Sequence, residues 1–473
     1  MAITVRRPAP AVEHRADGEP VRLPPGPRFT PRNVLRFVTD RPRLLREMAD
    51  RHGPAFTMWI PGFGTTVVLT EPAMFNELFH IPSDVAGGVE PSLDVMFGDG
   101  SIFGKQTAEH KRHRRVLTPP FHGRNLRAFE SLVEEETRKE IAGWPVGRRF
   151  ATITSTNRIA LNIILRVVFG AEGAEFDELR ELTPKWIKFG AVLFSVRPLQ
   201  WDWGPLSPWR RHLAMRRQFD DILERLIVRA QADPGFEDRT DILSLMLRAR
   251  HDDGTALTHE EIGDELVTLV AAGHETTATS LAWAFERLSR HPHTLGRLVA
   301  EIDEGGATYL QATIHEVMRT RPTIDGTTRR VLVDRMRFRE WVLPHGVNLY
   351  TATSLVHNDP RYFPRPDEFA PDRFLGRMPD TYAWTPFGGG VRRCVGATFA
   401  TMEMAVILRT VLTTYRIEPT DEPDERIVFK GLPFAPARGG LISVTRRERP
   451  AASPGSPTEP TGCPYHHEKP EPS

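Results

Sequence analysis

Phe387-Gly-Gly-Gly-Val-Arg-Arg-Cys-Val-Gly396 is the stretch on which the reading of this chain turns. It sets one cysteine, Cys394, between a glycine-rich turn and an apolar segment that reads as a helix from about Val395 to Leu412. A cysteine at a helix N-terminus faces N–H groups that lack an intrahelical partner and the positive end of the helix dipole. Arg392 and Arg393 add positive charge, so the thiol pKa is expected to fall and the sulfur to be a thiolate. Glycines permit the positive φ of a tight loop and let a flat ligand approach the backbone closely. The rival reading is a nucleophilic cysteine, which needs a neighbouring base; no histidine stands in the segment.

Outside that stretch, composition narrows the classes. The 473 residues carry 62 Lys+Arg against 61 Asp+Glu, so no global field points to nucleic acid. Two cysteines, Cys394 and Cys463, are too few for a disulfide scaffold and suit a reducing, cytoplasmic compartment. No CxxC occurs, and His315-Glu-Val-Met-Arg319 lacks the second histidine of a zinc HExxH. Residues 1–22 carry seven charged residues and three prolines and hold no apolar run long enough to be a signal or a membrane span. They are expected to be a disordered tail. Residues 449–473, with seven prolines, read as a second one, which leaves Cys463, His466 and His467 without a rigid support for metal. Residues 23–448 then form a single domain.

Within that domain the pattern is mainly helical with minor sheet, an α+β class with a small β-rich region. Leu23-Pro-Pro-Gly-Pro27 is a stiff entry segment, and Arg41–His52 reads as a helix. Residues 56–70 read as a hairpin turning at Gly62 and Gly64. Between Ser83 and Gly104, five glycines with Leu93, Met96, Phe97 and Phe103 suggest a mobile loop able to cover something apolar. Helical periodicity fills 124–250, broken at 197–208. Trp186, Trp201, Trp203 and Trp209 cluster around that break, as core or as a lid. Thr258 and Glu261 form a capping box that opens a helix of about 32 residues, ~48 Å long, ending before Pro292. Mid-way lies Ala272-Gly-His-Glu-Thr-Thr277, where Gly273 costs ~1 kcal/mol against alanine. A threonine hydroxyl here can turn back to the carbonyl of Ala272 and open a groove, and a buried Glu275 would hold its proton more tightly and could pass it on. A further helix, about Ala307–Thr320, sets Glu316 and Arg319 on one face.

These elements together resemble the cytochrome P450 superfamily. The cysteine segment matches Phe-x-x-Gly-x-Arg-x-Cys-x-Gly at Phe387, Gly390, Arg392, Cys394 and Gly396. Upstream, 272–276 is similar to that family's Ala/Gly-Gly-x-Asp/Glu-Thr, and Glu316-x-x-Arg319 to its Glu-x-x-Arg. The order agrees from Leu23 to about Thr445. The resemblance implies a cytochrome P450 fold with a long central helix over one haem b (iron protoporphyrin IX), and Cys394 as the axial ligand of its iron. It implies Thr276 and Glu275 as the alcohol and acid of a proton relay, with Gly273 leaving room above the haem. Glu316, Arg319 and Arg373 would brace the cysteine loop as a buried three-charge network. His110, Arg114, Arg329 and Arg392 would contact the propionates, with His110 where the family often has Trp.

The activity implied is hydroxylation or epoxidation of a lipophilic small molecule, such as a fatty acid, terpenoid or steroid. The reaction would use O2 and electrons from a separate ferredoxin and ferredoxin reductase, since no flavin unit is legible. The basic run Lys111–Arg115 would suit an acidic donor. Asp325 is an exception among the mostly apolar walls expected for the pocket and reads as a solvated loop carboxylate. The alternatives are a peroxide-driven haem-thiolate enzyme and a non-catalytic haem sensor.

Overall fold

The computed structural model describes residues 14–88, 97–121, 123–195, 197–204, 206–251, 254–376, 378–430 and 433–448. Residues 1–13 and 449–473, with Cys463, His466 and His467, lie outside them, as do Leu93 and Met96. The helices are α1 (Pro31–Thr39), α2 (Arg41–His52), α3 (Pro72–His80), α4 (Thr107–Leu117), α5 (Arg124–Ile141), α6 (Thr152–Phe169), α7 (Ala174–Ser195), α8 (Pro208–Ala232), α9 (Ile242–Arg248), α10 (His259–Arg290), α11 (Pro292–Asp303), α12 (Thr308–Thr320), α13 (Thr353–His357) and α14 (Ala397–Thr414). One sheet of five strands takes the order β1 (Ala55–Ile60), β2 (Gly64–Leu69), β8 (Asn348–Thr351), β5 (Thr328–Val331) and β3 (Ala86–Gly87). The β2–β8 pair is parallel and the others are antiparallel. Small two-stranded pairs complete it: β6 (Arg335–Phe338) with β7 (Trp341–Pro344), β4 (Phe150–Ala151) with β12 (Leu441–Ile442), β9 (Tyr415–Ile417) with β13 (Val444–Arg446), and β10 (Ile427–Phe429) with β11 (Phe434–Pro436).

The long helix α10 organises the rest. Thr258 caps it as expected: its Oγ1 accepts from Glu261 N, and its own N–H donates to Glu261 Oε2 at 2.8 Å. Both bonds satisfy donors that a helix start leaves free, worth about 1 kcal/mol in comparable caps. Its apolar residues, among them Leu266, Val270, Leu281 and Phe285, sit in one core with residues of α5, α6 and α14. Among the described residues no helix is long and apolar enough to cross a membrane.

The structure departs from the expectations at the N-terminal boundary and adds two helices to them. The N-terminal boundary lies upstream of Leu23, because Arg15 pairs with Met336 and Arg22 with Val342, and Ala16 is buried. The Pro-Pro-Gly segment then seats on β1, where Thr57 N donates to Pro25 O at 2.9 Å. Only glycine fits at Gly26, since a Cβ there would lie 1.8 Å from Thr57 O. Helix α1 went unread, although Thr30 accepts from Asn33 N and Pro31 occupies the first turn, a cap signal present in the sequence. Helix α11 likewise begins on Pro292, which starts one helix as well as ending another. The tryptophans divide: Trp186 is 2% exposed core, whereas Trp201 and Trp203 are 62% and 66% exposed and stack on each other.

Candidate active site

The cysteine loop is closed by its own backbone. Cys394 N donates to Phe387 O at 3.0 Å, and a 3-10 turn at Gly390–Arg392 lies between. Gly388 and Gly390 take φ of +66° and +65°, where a side chain is strained. At Gly390 there is no space either: a Cβ would fall 2.2 Å from Phe79 O. Cys394 is exposed to a solvent probe, yet it lies deep among protein atoms, so the surface it presents is the wall of an internal space. The expected fall in its pKa is reversed. Burial pushes the thiol up, and the Gly396 N–H, Arg393 and Arg114 pull it down by less. Helix α14 starts three residues after the sulfur, so the dipole alone does not compensate. An anionic sulfur here depends on a cation bound to it.

Four basic side chains converge on the same space. His110 and Arg114 come from α4, Arg329 from β5 and Arg392 from the cysteine loop, and His110 feels the charges of all three arginines. Burial and this mutual repulsion push His110 down to about 3 and Arg329 and Arg392 down to about 10. Arg114 is lowered by burial too. Among the described residues no carboxylate pairs with Arg114, Arg329 or Arg392, and Arg392 Nε–H is buried with no partner. Three arginines gathered without an anion are unfavourable unless a ligand supplies one. Two propionates meet that demand, and a glycine-walled thiol meets the metal's, so the residues present fit haem b.

On α10, Thr276 Oγ1 donates to Ala272 O at 2.8 Å, the back-bond anticipated from the sequence. Glu275 beside it is half-buried, and the helix runs through without a break. At Gly273 a Cβ would sit 3.1 Å from Ile164 Cδ1, so its missing side chain lets α6 pack close. Asp325 is not solvated. It is buried, accepts from Ser354 N at 3.0 Å and Tyr350 Oη at 3.1 Å, and burial raises its pKa.

Glu316, Arg319 and Arg373 do come together. Arg319 grips Glu316 with two bonds, Nε to Oε2 at 2.7 Å and Nη2 to Oε1 at 2.9 Å, and both side chains are 0% exposed. Arg373 Nε adds a 3.1 Å bond to Glu316 Oε1, and Ala370 N one of 2.8 Å. The link onward to the cysteine loop is a residue that the sequence reading missed. His357 Nδ1 lies 3.2 Å from Arg319 O, which can only accept, so Nδ1 carries the proton and Nε2 accepts from Thr385 N at 3.2 Å. Thr385 is two residues before Phe387. Nothing in the local sequence marks His357 out, because its partners are backbone atoms far along the chain.

His357 is fully buried and held neutral, its pKa pushed from 6.5 to about 3 by burial and by Arg319. The unfolded chain takes up this proton below 6.5 and the folded one does not until about 3. The stabilisation is therefore complete above pH 6.5 and is lost as pH falls, by up to ~1.4 kcal/mol per pH unit. His357→Gln is expected to flatten the acid side of the stability curve by up to that slope. Urea unfolding at pH 7 and pH 5 measures it, and an unchanged slope in the variant contradicts the assignment.

Comparison with known proteins agrees with this geometry. The family model described as cytochrome P450 matches residues 24–441. Putative cytochrome P450 138 of Mycobacterium tuberculosis is 47% identical over 430 residues, 90% of this chain and 97% of that protein. Putative cytochrome P450 137 of the same organism is 36% identical, covering 95% and 94%. In fold, retinoic acid bound cyanobacterial CYP120A1 superposes with a TM-score of 0.78 at 22% identity, over 90% of this chain and all of that one, 100%. A thiol on a glycine-walled loop, a set of arginines awaiting an anion and a family match over nearly the whole domain lead to one statement: this chain belongs to the cytochrome P450 family, whose cofactor is haem b.

Proposed function

We propose that the protein hydroxylates or epoxidises a lipophilic small molecule, such as a fatty acid, terpenoid or steroid. It would use O2 and two electrons delivered by a separate ferredoxin and its reductase, in the cytoplasm. The observation that carries the O2-dependent reading is Thr276, whose hydroxyl is fixed on Ala272 O beside the half-buried Glu275. A peroxide-driven enzyme has no use for such a pair, and neither has a sensor. Haem iron held by Cys394 supplies O2 activation, and thiolate donation favours O–O cleavage. The chain's own residues do the rest. Arg114, Arg329, Arg392 and neutral His110 hold the propionates, and Glu275 takes protons from solvent and passes them to the Thr276 hydroxyl. Phe97, Ile102, Val270 and Ala271 belong to one apolar cluster, which supports a lipophilic ligand. Lys111, Arg112 and Arg115 beside Arg114 supply the charge an acidic donor would meet.

Thr276→Ala is the test. Product formed per NADPH consumed, with a surrogate redox pair, is expected to fall about 10²-fold, the usual weight of a positioned proton donor. Product formed with hydrogen peroxide is expected to persist. Equal loss by both routes contradicts the relay, and absence of any oxygenated product from the parent protein across a lipid and terpenoid panel favours the sensor.

A further inference from the structure

We propose that Asp264 is a positioning residue that couples loop 97–104 to helix α8, so that these two covers release together when a ligand enters. The coupling rests on geometry alone. Its consequence for ligand entry rests on the haem-site reading above.

Two successive loop residues dock on the first half of α10. Gly100 N donates to Asp264 Oδ2 at 2.7 Å. The Ser101 hydroxyl meets Thr268 Oγ1 at 2.8 Å. Beside them on α10, Glu265 Oε1 lies 2.7 Å from His113 Nδ1 of α4, the helix into which the loop leads. The loop is shaped for this carboxylate. Gly98 has φ +85°, and a Cβ there would fall 2.2 Å from both Asp264 oxygens. At Gly100 a Cβ would fall 2.9 Å from Asp264 Oδ2 and from Glu261 Cα.

The opposite oxygen of the same carboxylate belongs to α8. Arg216 Nη1 stands 2.6 Å from Asp264 Oδ1 in an ion pair off the hydrogen-bond axis, and Arg216 Nε donates to Asp220 at 2.8 Å. Asp264 is buried, so its charge is sustained by two groups from two different elements, the Gly100 N–H and Arg216. Withdrawing either leaves an under-compensated buried carboxylate, which then holds the other less well or turns to solvent. That shared dependence is a coupling free energy between loop and helix, and it acts in both directions. Arg216 makes no hydrogen bond to loop 97–104 among the described residues, so any effect of Arg216 on the loop passes through Asp264.

Position makes the coupling relevant to entry. Loop 97–104 leads directly into α4, which carries His110 and Arg114. Its Phe97 and Ile102 share an apolar cluster with Val270 and Ala271 of α10 and Leu223 of α8. Asp264 lies ~18 Å before Thr276 along the helix axis. The contact is therefore outside the chemistry and acts on access to it.

The experiment compares parent, Arg216→Gln, Asp264→Ala, the double variant and Asp220→Asn as haem-loaded protein. Hydrogen–deuterium exchange is read at peptides spanning 98–103, and association rates are read for imidazole and for the bulky clotrimazole. Arg216→Gln is expected to speed loop exchange about tenfold, the loss of one charged partner. It should also speed clotrimazole association several-fold, with imidazole changed less than twofold. Asp264→Ala should do at least as much, and adding Arg216→Gln to it should do nothing further. Loop exchange unchanged in Arg216→Gln overturns the coupling, as do additive effects in the double variant. Faster exchange with both ligand rates unchanged overturns the role in entry. Should Asp264→Ala fail to fold, Arg216→Gln against Asp220→Asn still decides, because only the former removes a partner from Asp264. Failure of haem loading in the parent would sink the site reading while leaving the exchange result to stand or fall by itself.

Discussion

Arg319→Ala is expected to yield protein that accumulates poorly, binds little haem and is destabilised by about 3–5 kcal/mol, the cost of stranding a buried charge. The guanidinium is spent on five bonds: two to Glu316, and one each to His357 O at 2.7 Å, Pro366 O at 2.8 Å and Glu368 O at 3.1 Å. Removing it leaves Glu316 with Arg373 and Ala370 N, and leaves the carbonyls of His357 and Pro366 short of a donor, whereas Glu368 O keeps Arg373 Nη2 at 3.2 Å. It also removes the bond to His357 O, one of two that seat His357, whose ring keeps the residue 319 carbonyl on Nδ1 and Thr385 N, at the entry of the cysteine loop, on Nε2. Domains of this kind hold ~5–15 kcal/mol in all, so the loss is a large fraction. Lysine is not expected to rescue, because an ammonium cannot span the planar fork of Glu316 and the carbonyls together. Haem-to-protein ratio and the thermal midpoint measure the effect. A variant with parental haem content and melting would show that the network is dispensable.

Cys394→His is expected to abolish the thiolate-type spectrum of the reduced carbon monoxide complex and to remove O2-dependent product. The sulfur sits on a loop locked by the Cys394 N to Phe387 O bond and by glycines that cannot take side chains, so no other group can move into its place. Imidazole binds iron as in globins and peroxidases, without the electron donation that favours O–O cleavage. Cys394→Ser should lose the same spectrum while retaining the loop. The arginines proposed to hold the propionates are untouched in both variants, so some haem binding should remain and make the spectral change readable. An unaltered spectrum in either one refutes the ligand assignment.

The site was more legible than the frame around it, for reasons that lie in particular residues. Glycine, cysteine and arginine at fixed spacing report backbone geometry directly, and Thr276 needed only its own helix to find Ala272 O. The capping box at Thr258 likewise reads locally, and α2 and α10 run where the pattern put them. What was hidden depended on distant partners. His357 joins Arg319 to Thr385 through backbone atoms, and Asp325 is internal because Tyr350 and Ser354 surround it. The direction of the Cys394 pKa was misjudged because charge is visible in sequence and burial is not. Short strands of two to four residues, such as β4 and β12, have no period to read; the pairing at Ala151 and Leu441 is a tertiary fact.

The proposed chemistry requires that the Cys394 sulfur bind one iron. X-ray absorption at the iron edge of the purified, haem-loaded protein tests that bond most directly. A single sulfur neighbour in the first coordination shell, absent from Cys394→Ser, is the predicted result; a shell of nitrogen and oxygen alone in the parent protein would contradict it.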